Sequence, residues 1–230
     1  MRVAILQSNY IPWKGYFDII GQVELFVFHD DLQYTKGDWR NRNKIKTPRG
    51  AEWLTIPVGT DEKRLICDVE IKDSGWQEKH FRQIEANYRT APFFKEVAGF
   101  LKSIYLETKW TNLSELNQEV IKRICREFLG IATPFDDSRR YSLTQAKGER
   151  VMELLKKAGA TCYLSGPAAK GYLDPRMFEE EGIALEWMDY SGYPQYEQLH
   201  APFDEAVSII DMLFMLGART RSHMKIGKSA

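Results

Sequence analysis

Polar side chains cluster at the ends of the first two hydrophobic segments of the chain. Two adjacent aspartates, Asp30 and Asp31, directly follow the second segment. If the two segments form neighbouring parallel strands, their polar ends share one rim of a sheet, where open α/β folds bind ligands. A carboxylate there can remove a proton from a nucleophile, so we predict Asp30 and Asp31 as the catalytic residues. The other residues of this predicted rim are the amides Gln7, Asn9 and Gln33 and the aromatic residues Tyr10, Trp13, Tyr34 and Trp39.

Amides and carboxylates beside aromatic rings favour a carbohydrate or a nucleotide-sugar as the ligand. Two other interpretations stay open. Polar residues that follow strands also cap loops and helices, and two adjacent aspartates can hold a divalent metal with a diphosphate. The four histidines show no metal-ligand spacing, and the motifs of dinucleotide, P-loop, zinc-protease and α/β-hydrolase sites are absent. The sequence therefore identifies no metal site, and it leaves the cofactor unknown.

A basic stretch follows the rim, in residues 36–49. It holds six Lys and Arg side chains and one carboxylate, in a chain whose formal net charge is zero. Arginine binds phosphate through two parallel hydrogen bonds, and asparagine adds hydrogen bonds of fixed geometry. The alternative is a solvated hairpin edge that lysine and arginine protect against aggregation. The predicted phosphate-binding residues are Lys36, Arg40, Asn41, Arg42 and Asn43.

A second candidate patch lies in residues 163–174, after a predicted strand. Its small residues would let a ligand approach the backbone closely, and Lys170 could reach a phosphate. Ser165 and Tyr172 complete this patch, for which an ordinary strand-to-helix connection is an equal alternative. Near the end of the chain, Asp211 lies beside an apolar helix stripe, where we expect it to form a buried ion pair.

Hydrophobic patterning predicts an α/β fold with a central, mostly parallel sheet. A β-hairpin is predicted near residues 43–58, because Thr47-Pro48-Arg49-Gly50 separates two strand-like runs. The sheet is predicted to begin with a βαβ unit, with a strand over 2–7, a helix over 14–22 and a strand over 24–29.

The middle of the chain is predicted to be largely helical. Its predicted helix starts are Asp73, Pro92, Asn112 and a capping box formed by Ser142 and Gln145. The other predicted elements are a half-exposed strand over 66–71, strands over 161–164 and 183–188, helices over 174–181 and 204–216, and a frayed basic tail over 219–230.

The composition is that of a globular protein of 230 residues and 26.7 kDa. The 32 Lys and Arg residues balance 32 Asp and Glu residues, which excludes a protein whose whole surface attracts nucleic acid or membrane. Three widely spaced cysteines exclude a disulfide framework and a zinc ribbon. Since the sequence shows no signal peptide, membrane span, repeat or linker, we expect a cytoplasmic protein with a single domain over residues 1–230.

Five segments carry a resemblance to a known family. They are AILQSNYIPWKGYFDII (4–20), FVFHDDLQYTKGDWRNRNKIKTPRG (26–50), EWLTIPV (52–58), CYLSGPAAKGYLD (162–174) and VSIIDMLFMLG (207–217). Together they resemble the WbqC-like protein family over essentially the whole chain. The chain departs from the family at Ser8-Asn9, where we expect Gln-Pro followed by Tyr or Thr.

The resemblance implies a role in the synthesis of bacterial surface polysaccharides such as O-antigen. Some members of the family are designated glycine transferases, which would join an aminoacyl donor to the amino group of a nucleotide-linked amino sugar. The implied function is therefore acyl or aminoacyl transfer to a nucleotide-activated sugar. Asp30 or Asp31 would act as the base, and the residues of the basic stretch would bind phosphate or the oxyanion.

Two alternatives stay open. The first is a non-catalytic protein of the same pathway that binds a nucleotide-sugar or serves as a scaffold. The second is a nucleotidyltransferase-like protein, because Trp13-Lys14-Gly15-Tyr16 has the layout of the HxGH loop of those enzymes, although both histidines are replaced. The expected partner is a small-molecule substrate. We expect no membrane partner and no nucleic acid other than an aminoacyl-tRNA as the donor.

Overall fold

A five-stranded parallel sheet forms the centre of the computed structural model, which describes residues 1–72 and 75–227. Its strand order is β5-β2-β1-β6-β7, and a separate antiparallel hairpin pairs β3 with β4. The strands are β1 (Arg2–Leu6), β2 (Leu25–Phe28), β3 (Arg42–Thr47), β4 (Gly50–Thr55), β5 (Phe135–Asp137), β6 (Cys162–Ser165) and β7 (Ala184–Trp187).

Helices cover both faces of the sheet, which explains why its central strands are apolar throughout. On β1, Ala4 packs into the larger apolar cluster, whereas Val3 and Ile5 pack into the smaller cluster on the opposite face. The helices are α1 (Lys14–Gly21), α2 (Trp76–Tyr88), α3 (Phe94–Tyr105), α4 (Leu113–Ile124), α5 (Lys147–Lys157), α6 (Pro175–Glu180) and α7 (Ile209–Leu216).

The direction of strand addition reverses between β1 and β6. From β1 the chain first adds β2 and then β5 on one side, and it later adds β6 and β7 on the other side. Such a reversal leaves a crevice outside the carboxyl ends of the strands, because the connections on the two sides run to opposite faces. The crevice beside β1 is therefore where the fold itself favours a ligand site.

The structure confirms the α/β class, the initial βαβ unit and the hairpin. Strands β1 and β2 pair in parallel from Val3↔Leu25 to Leu6↔Phe28, and α1 lies between them in the chain. The hairpin pairs residues 42–47 with residues 50–55, and Gly50 takes a φ of +106° in its turn. Helices α2, α3 and α4 confirm the helical middle, and the side chain of Asn112 accepts a hydrogen bond from the N–H of Glu115, as predicted.

Several predicted boundaries were wrong. The strand over 66–71 is replaced by a short 3₁₀ turn, Ile66–Asp68, because Cys67 N donates to the carbonyl of Asp30 while the chain crosses the end of β2. The capping box is absent since Ser142 has a φ of +47°, and α5 begins later, at Lys147. Glu153 takes over part of that role by accepting the N–H groups of residues 144 and 145.

The end of the chain also differs from the prediction, in where its last helix begins and in how its last residues pack. Helix α7 begins at Ile209 with Ser208 as its cap, five residues after the predicted start. The predicted frayed tail is wrong for residues 219–227, where 3₁₀ turns bury Thr220 and Met224. Residues 228–230 and the predicted helix cap Asp73 lie outside the described residues.

Asp211 does not form the predicted ion pair. Its carboxylate is fully buried and instead accepts hydrogen bonds from Tyr88 Oη at 2.8 Å, Tyr196 Oη at 2.6 Å and Gln198 Nε2 at 3.0 Å. Burial raises the pKa of Asp211, and these three neutral donors oppose that rise. Hydrogen bonds, with a smaller contribution from the charge of Lys46, therefore compensate this carboxylate in the core.

None of the helices within the described residues combines the length and the apolar character needed to cross a membrane.

Candidate functional site

A cavity of about 550 Å³ lies at the carboxyl ends of β1 and β2, beside the reversal of strand order. We name it the switch-point cavity. Its walls come from the ends of the central strands, from the start of α5 and from two later aromatic residues. The residues that line it are Ile5, Leu6, Gln7, His29, Leu32, Arg40, Lys147, Val151, Tyr163 and Tyr172.

Two cations and a free amide give this cavity the character of an anion site. Lys147 and the amide of Gln7 form no side-chain hydrogen bond or ion pair with any described residue. Arg40 is paired with Asp38 through one terminal nitrogen, but its buried Nε has no partner. An anionic ligand would satisfy these groups, and the rings of Tyr163 and Tyr172 add aromatic surface for an attached flat group.

Backbone strain is also found at this cavity. Lys147 begins α5 with a φ of +52°, a conformation that side chains other than glycine rarely adopt. Residues held in this region cost about 1–3 kcal/mol and concentrate at ligand sites. The strained residue is also the cation that lines the cavity, which is consistent with a functional reason for the strain.

A polar cluster of His29, Asp31 and Arg150 lies at the side of the cavity. Arg150 Nε donates to His29 Nε2 at 3.2 Å, and the same guanidinium donates to Asp31 Oδ2. The hydroxyl of Ser138 donates to Asp31 Oδ1, which lies 3.8 Å from His29 Nε2. Burial lowers the pKa of His29 although Asp31 opposes this, so the imidazole is neutral near pH 7. Since Nε2 accepts the hydrogen bond from Arg150, the neutral imidazole has its one acceptor nitrogen occupied, and Asp31 is the group of this cluster that can accept a proton.

Asp30 has a different environment from Asp31, although the two are adjacent in the chain. Its side chain is fully buried, and it accepts hydrogen bonds from Ser8 N at 2.7 Å, from Ser114 Oγ and from Gln118 Nε2 at 3.2 Å. It therefore joins the loop after β1 to helix α4. Its predicted role as a base stays a prediction, but this burial favours a positioning role.

The remaining predicted residues separate into three groups. The first group borders a second cavity, described below, and comprises Asn9, Trp13, Trp39 and Asn43. The second group is buried in the framework and comprises Tyr10, Tyr34, Asn41 and Ser165. The third group lies outside both cavities and comprises the exposed Gln33, Lys36 and Lys170 and the half-buried Arg42.

Specific contacts explain these placements. Tyr10 Oη lies 2.9 Å from His80 Nδ1, and Asn41 Nδ2 donates to the carbonyl of Ile56 at 3.0 Å. The guanidinium of Arg42 packs over the ring of Trp53, at 4.2 Å from its centroid. The structure thus brings Gln7, Arg40 and Tyr172 to the switch-point cavity and does not bring the others there.

Four residues of interest were missed by sequence reasoning: His29, Lys147, Arg150 and Glu205. Lys147 and Arg150 are three residues apart at the start of a helix, and this spacing predicts that the two side chains lie on the same face of that helix. His29 directly precedes the predicted aspartates, but its isolated position gave no metal-ligand pattern. Glu205 lies in an irregular segment, and no local pattern distinguishes it.

Neither metal chemistry nor cysteine chemistry is indicated by the described side chains. Within residues 1–72 and 75–227, no group of three or more His, Cys, Asp or Glu side chains is placed to hold a metal ion. Burial raises the pKa of Cys67 to about 11, and it also raises the pKa values of Cys125 and Cys162. All three thiols are therefore protonated near pH 7 and are weak nucleophiles.

Comparisons with known proteins extend the resemblance of the sequence. The family model of the WbqC-like protein family matches residues 7–223. The uncharacterized protein Rv1507c of Mycobacterium tuberculosis is 46% identical over 226 residues, which cover 97% of this chain and 97% of that protein. No solved structure matches the chain. The family match includes the β1 loop, the hairpin and the lining residues of both cavities other than Ile5 and Leu6, and the chain belongs to the WbqC-like protein family.

Proposed function

We propose that the protein is a transferase that attaches an acyl or aminoacyl group, of the glycine type, to a nucleotide-linked amino sugar in bacterial surface polysaccharide synthesis. The observation that supports this proposal is the pairing of Arg40 and Lys147 in one cavity at the point where strand order reverses. Two cations beside aromatic rings suit a diphosphate joined to a nucleoside. Family membership is consistent with a sugar as the rest of the substrate.

The cluster beside the cavity supports the transfer step. The donor is either the ester of glycyl-tRNA or the mixed anhydride that glycine forms with ATP, with release of phosphate or pyrophosphate. The amine nitrogen attacks the carbonyl carbon of this donor, a C–N bond forms, and the bond from that carbon to the tRNA or phosphate oxygen breaks. The base accepts the proton of the amine, and the departing oxygen takes up a proton. Asp31 is the candidate base in this cluster, because the one unprotonated nitrogen of the neutral His29 already accepts a hydrogen bond from Arg150. Arg150 contacts both residues and would fix their orientation.

The activity is tested by mass spectrometry of amino-sugar nucleotides incubated with the protein. One set of reactions receives glycine and ATP, and a second set receives glycyl-tRNA. We expect the mass of one glycyl residue to be added to an amino-sugar nucleotide and not to its N-acetylated counterpart. The proposal fails if folded protein adds no mass to any amino sugar with either donor.

The binding part of the proposal is tested separately by calorimetry with a nucleoside diphosphate. We expect Arg40→Ala and Lys147→Ala each to weaken binding roughly 10- to 100-fold, since each removes a charged contact to phosphate. The matched control is Arg82→Ala, because Arg82 is an exposed arginine on α2 that pairs with Glu78 away from the cavity. Equal affinities of the wild type and of all three variants would contradict this site.

The strand order supports a second candidate, a nucleotidyltransferase-like activity. The five strands follow the order of doubly wound nucleotide-binding sheets, and Trp13-Lys14-Gly15-Tyr16 opens the helix after the first strand. This candidate predicts that ATP binds and that pyrophosphate is released when a sugar phosphate is added. Release of pyrophosphate without glycyl transfer would favour it over the transferase.

A further inference from the structure

A second cavity, of about 320 Å³, has the composition of a site for a sugar ring. We name it the tryptophan cavity. Two indole rings, two amides and one carboxylate border it. Its lining residues are Asn9, Pro12, Trp13, Trp39, Asn43, Glu205 and Ala206.

The two indole rings are held in place by other residues. Trp13 packs edge-on against Tyr190 and Tyr193, with ring centroids 5.0 Å and 6.2 Å away. It also lies over Gly15, where an added Cβ would be only 2.3 Å from the indole. Trp39 is 40% exposed and packs against Trp53, with centroids 5.3 Å apart. Rigid aromatic surface of this kind binds the apolar C–H face of a sugar at little cost in side-chain entropy.

The polar groups at the tryptophan cavity divide into occupied and free groups. Asn43 Nδ2 donates to the carbonyls of Tyr10 and Ile11, at 3.0 Å and 2.9 Å, so this amide group is already occupied in fixing the loop after β1. The amide of Asn9 and the carboxylate of Glu205 form no side-chain hydrogen bond or ion pair in the part of the chain that the structure describes. Glu205 is exposed, so an ammonium group of a ligand would replace water at its carboxylate, and a ligand hydroxyl group could pair with the amide of Asn9.

The buried cation Lys14 lies near Glu205 and could compete with a cationic ligand for its carboxylate. Lys14 is buried, with its ammonium 4.5 Å from the centroid of Tyr193. Burial lowers the pKa of Lys14, and Glu205 and Asp18 oppose that change through their charge. No ion pair of 4.0 Å or less joins Lys14 to Glu205 among the described residues, so the carboxylate keeps its capacity to bind a ligand amine.

The same two loops border both cavities. Gln7 lines the switch-point cavity and Asn9 lines the tryptophan cavity, two residues later in the loop after β1. Likewise, Arg40 lines the switch-point cavity, and Trp39, which precedes it in the chain, lines the tryptophan cavity. The loops are joined because Tyr10 N donates to the carbonyl of Trp39 at 2.9 Å. A ligand that is held by Arg40 and extends across these joined loops would meet the tryptophan cavity at Asn9 and Trp39.

We infer that the tryptophan cavity binds the sugar ring of an amino sugar, with Trp13 and Trp39 against its C–H face and Glu205 against its amino group. This inference rests on the proposed function, in which the switch-point cavity holds the nucleotide part of the same substrate. It assigns selectivity for a free amine to Glu205, which would hold the ammonium form before the reaction; the amine would react only after it has lost this proton and turned toward Asp31. An N-acetylated sugar lacks the positive charge that Glu205 would bind.

The inference is tested by calorimetry at pH 7 with uridine diphosphate, uridine diphosphate glucosamine and uridine diphosphate N-acetylglucosamine. We expect the amino sugar to bind at least about tenfold more tightly than the nucleotide alone, since it adds one charge-assisted hydrogen bond. Glu205→Gln and Trp39→Ala should remove this gain and leave the affinity for uridine diphosphate unchanged. The matched control Glu180→Gln, on α6 outside both cavities, should keep the gain.

The outcomes separate this inference from the proposed function. If uridine diphosphate binds but the amino sugar adds no affinity, the inference is overturned while the nucleotide site stands. A gain that persists in both Glu205→Gln and Trp39→Ala also overturns it. If uridine diphosphate does not bind but free glucosamine binds in a Glu205-dependent way, the sugar site is supported and the proposed nucleotide site is contradicted.

Discussion

Two neighbouring aspartates show how strongly the surroundings of a residue decide its role. Asp30 has no exposed surface and accepts three hydrogen bonds from the β1 loop and α4. Asp31 has a side chain that is 15% exposed and is held by Arg150 and Ser138 beside the switch-point cavity. Their adjacency in the chain indicated one shared role, but consecutive side chains here point into different environments. A proton can be exchanged with a substrate only where the substrate can reach, which favours Asp31.

Asparagine substitutions distinguish the two roles. Asp30→Asn places an amide N–H₂ among three donors, so we expect a loss of about 2–4 kcal/mol in the free energy of unfolding. Asp31→Asn removes the charge that pairs with Arg150, and we expect a smaller loss of about 1–2 kcal/mol together with a loss of glycyl transfer. Urea unfolding and the mass-spectrometric assay measure these effects. Equal destabilisation by both substitutions would contradict the assignment of Asp30 as the positioning residue.

Contacts between elements explain which parts of the fold were predictable. The continuous apolar runs of β1 and β2, the Pro-x-Gly turn of the hairpin and the cap at Asn112 are local signals, and all three were read from the sequence. Strand β5 has three residues and exists because it pairs with β2, a contact more than 100 residues away in the chain. No local pattern contains such a contact, which is why this strand was missed.

The candidate site was only partly predictable for the same reason. Gln7, Arg40 and Tyr172, which line the switch-point cavity, were among the predicted residues because polar residues after strands are a local signal. Lys147 and Arg150 reach the end of β2 only because α5 packs there, and Glu205 reaches Trp13 from an irregular segment. The residues that we predicted to form one rim lie instead at two cavities and in the buried framework.

The packing of α2 against the β1 loop makes stability depend on pH through His80. His80 is buried, its Nδ1 lies 2.9 Å from Tyr10 Oη, and burial lowers the pKa of His80 to about 4. An unfolded histidine titrates near pH 6.5, so below that pH the unfolded state binds more protons than the folded state. The contribution to stability is therefore fully present above about pH 6.5 and is lost as the pH falls toward 4.

We expect His80 to account for a loss of roughly 2–3 kcal/mol in the free energy of unfolding between pH 7 and pH 4.5. Chemical denaturation of the wild type and of His80→Gln at both pH values measures this loss. The variant should be less stable at pH 7 but should lose less stability on acidification, and subtracting its loss removes the effects of other titrating groups such as Asp211. An equal loss in the two proteins would show that His80 is not the responsible group.

For the whole molecule, the zero net charge conceals a local concentration of positive charge. The 32 basic and 32 acidic residues cancel over the surface, but the switch-point cavity is lined by Arg40 and Lys147 and by no carboxylate. The two cations come from the segment before β3 and from the start of α5, which are distant parts of the chain. An anion bound between them joins these parts in the folded state and has no equivalent site in the unfolded chain.

Nucleotide binding should therefore raise the melting temperature of the whole protein. At a uridine diphosphate concentration of about 100 times the dissociation constant, binding adds roughly 2.7 kcal/mol to the free energy of unfolding. For a chain of this length, each kcal/mol raises the melting temperature by about 2–4 °C, so we expect a shift of roughly 5–10 °C. In a double variant, Arg40→Ala with Lys147→Ala, the shift should nearly vanish at the same concentration, while Arg82→Ala should retain it. A shift of equal size in the double variant would place the anion elsewhere on the molecule, because the folded state would then gain the same stabilisation without the two cations of the switch-point cavity.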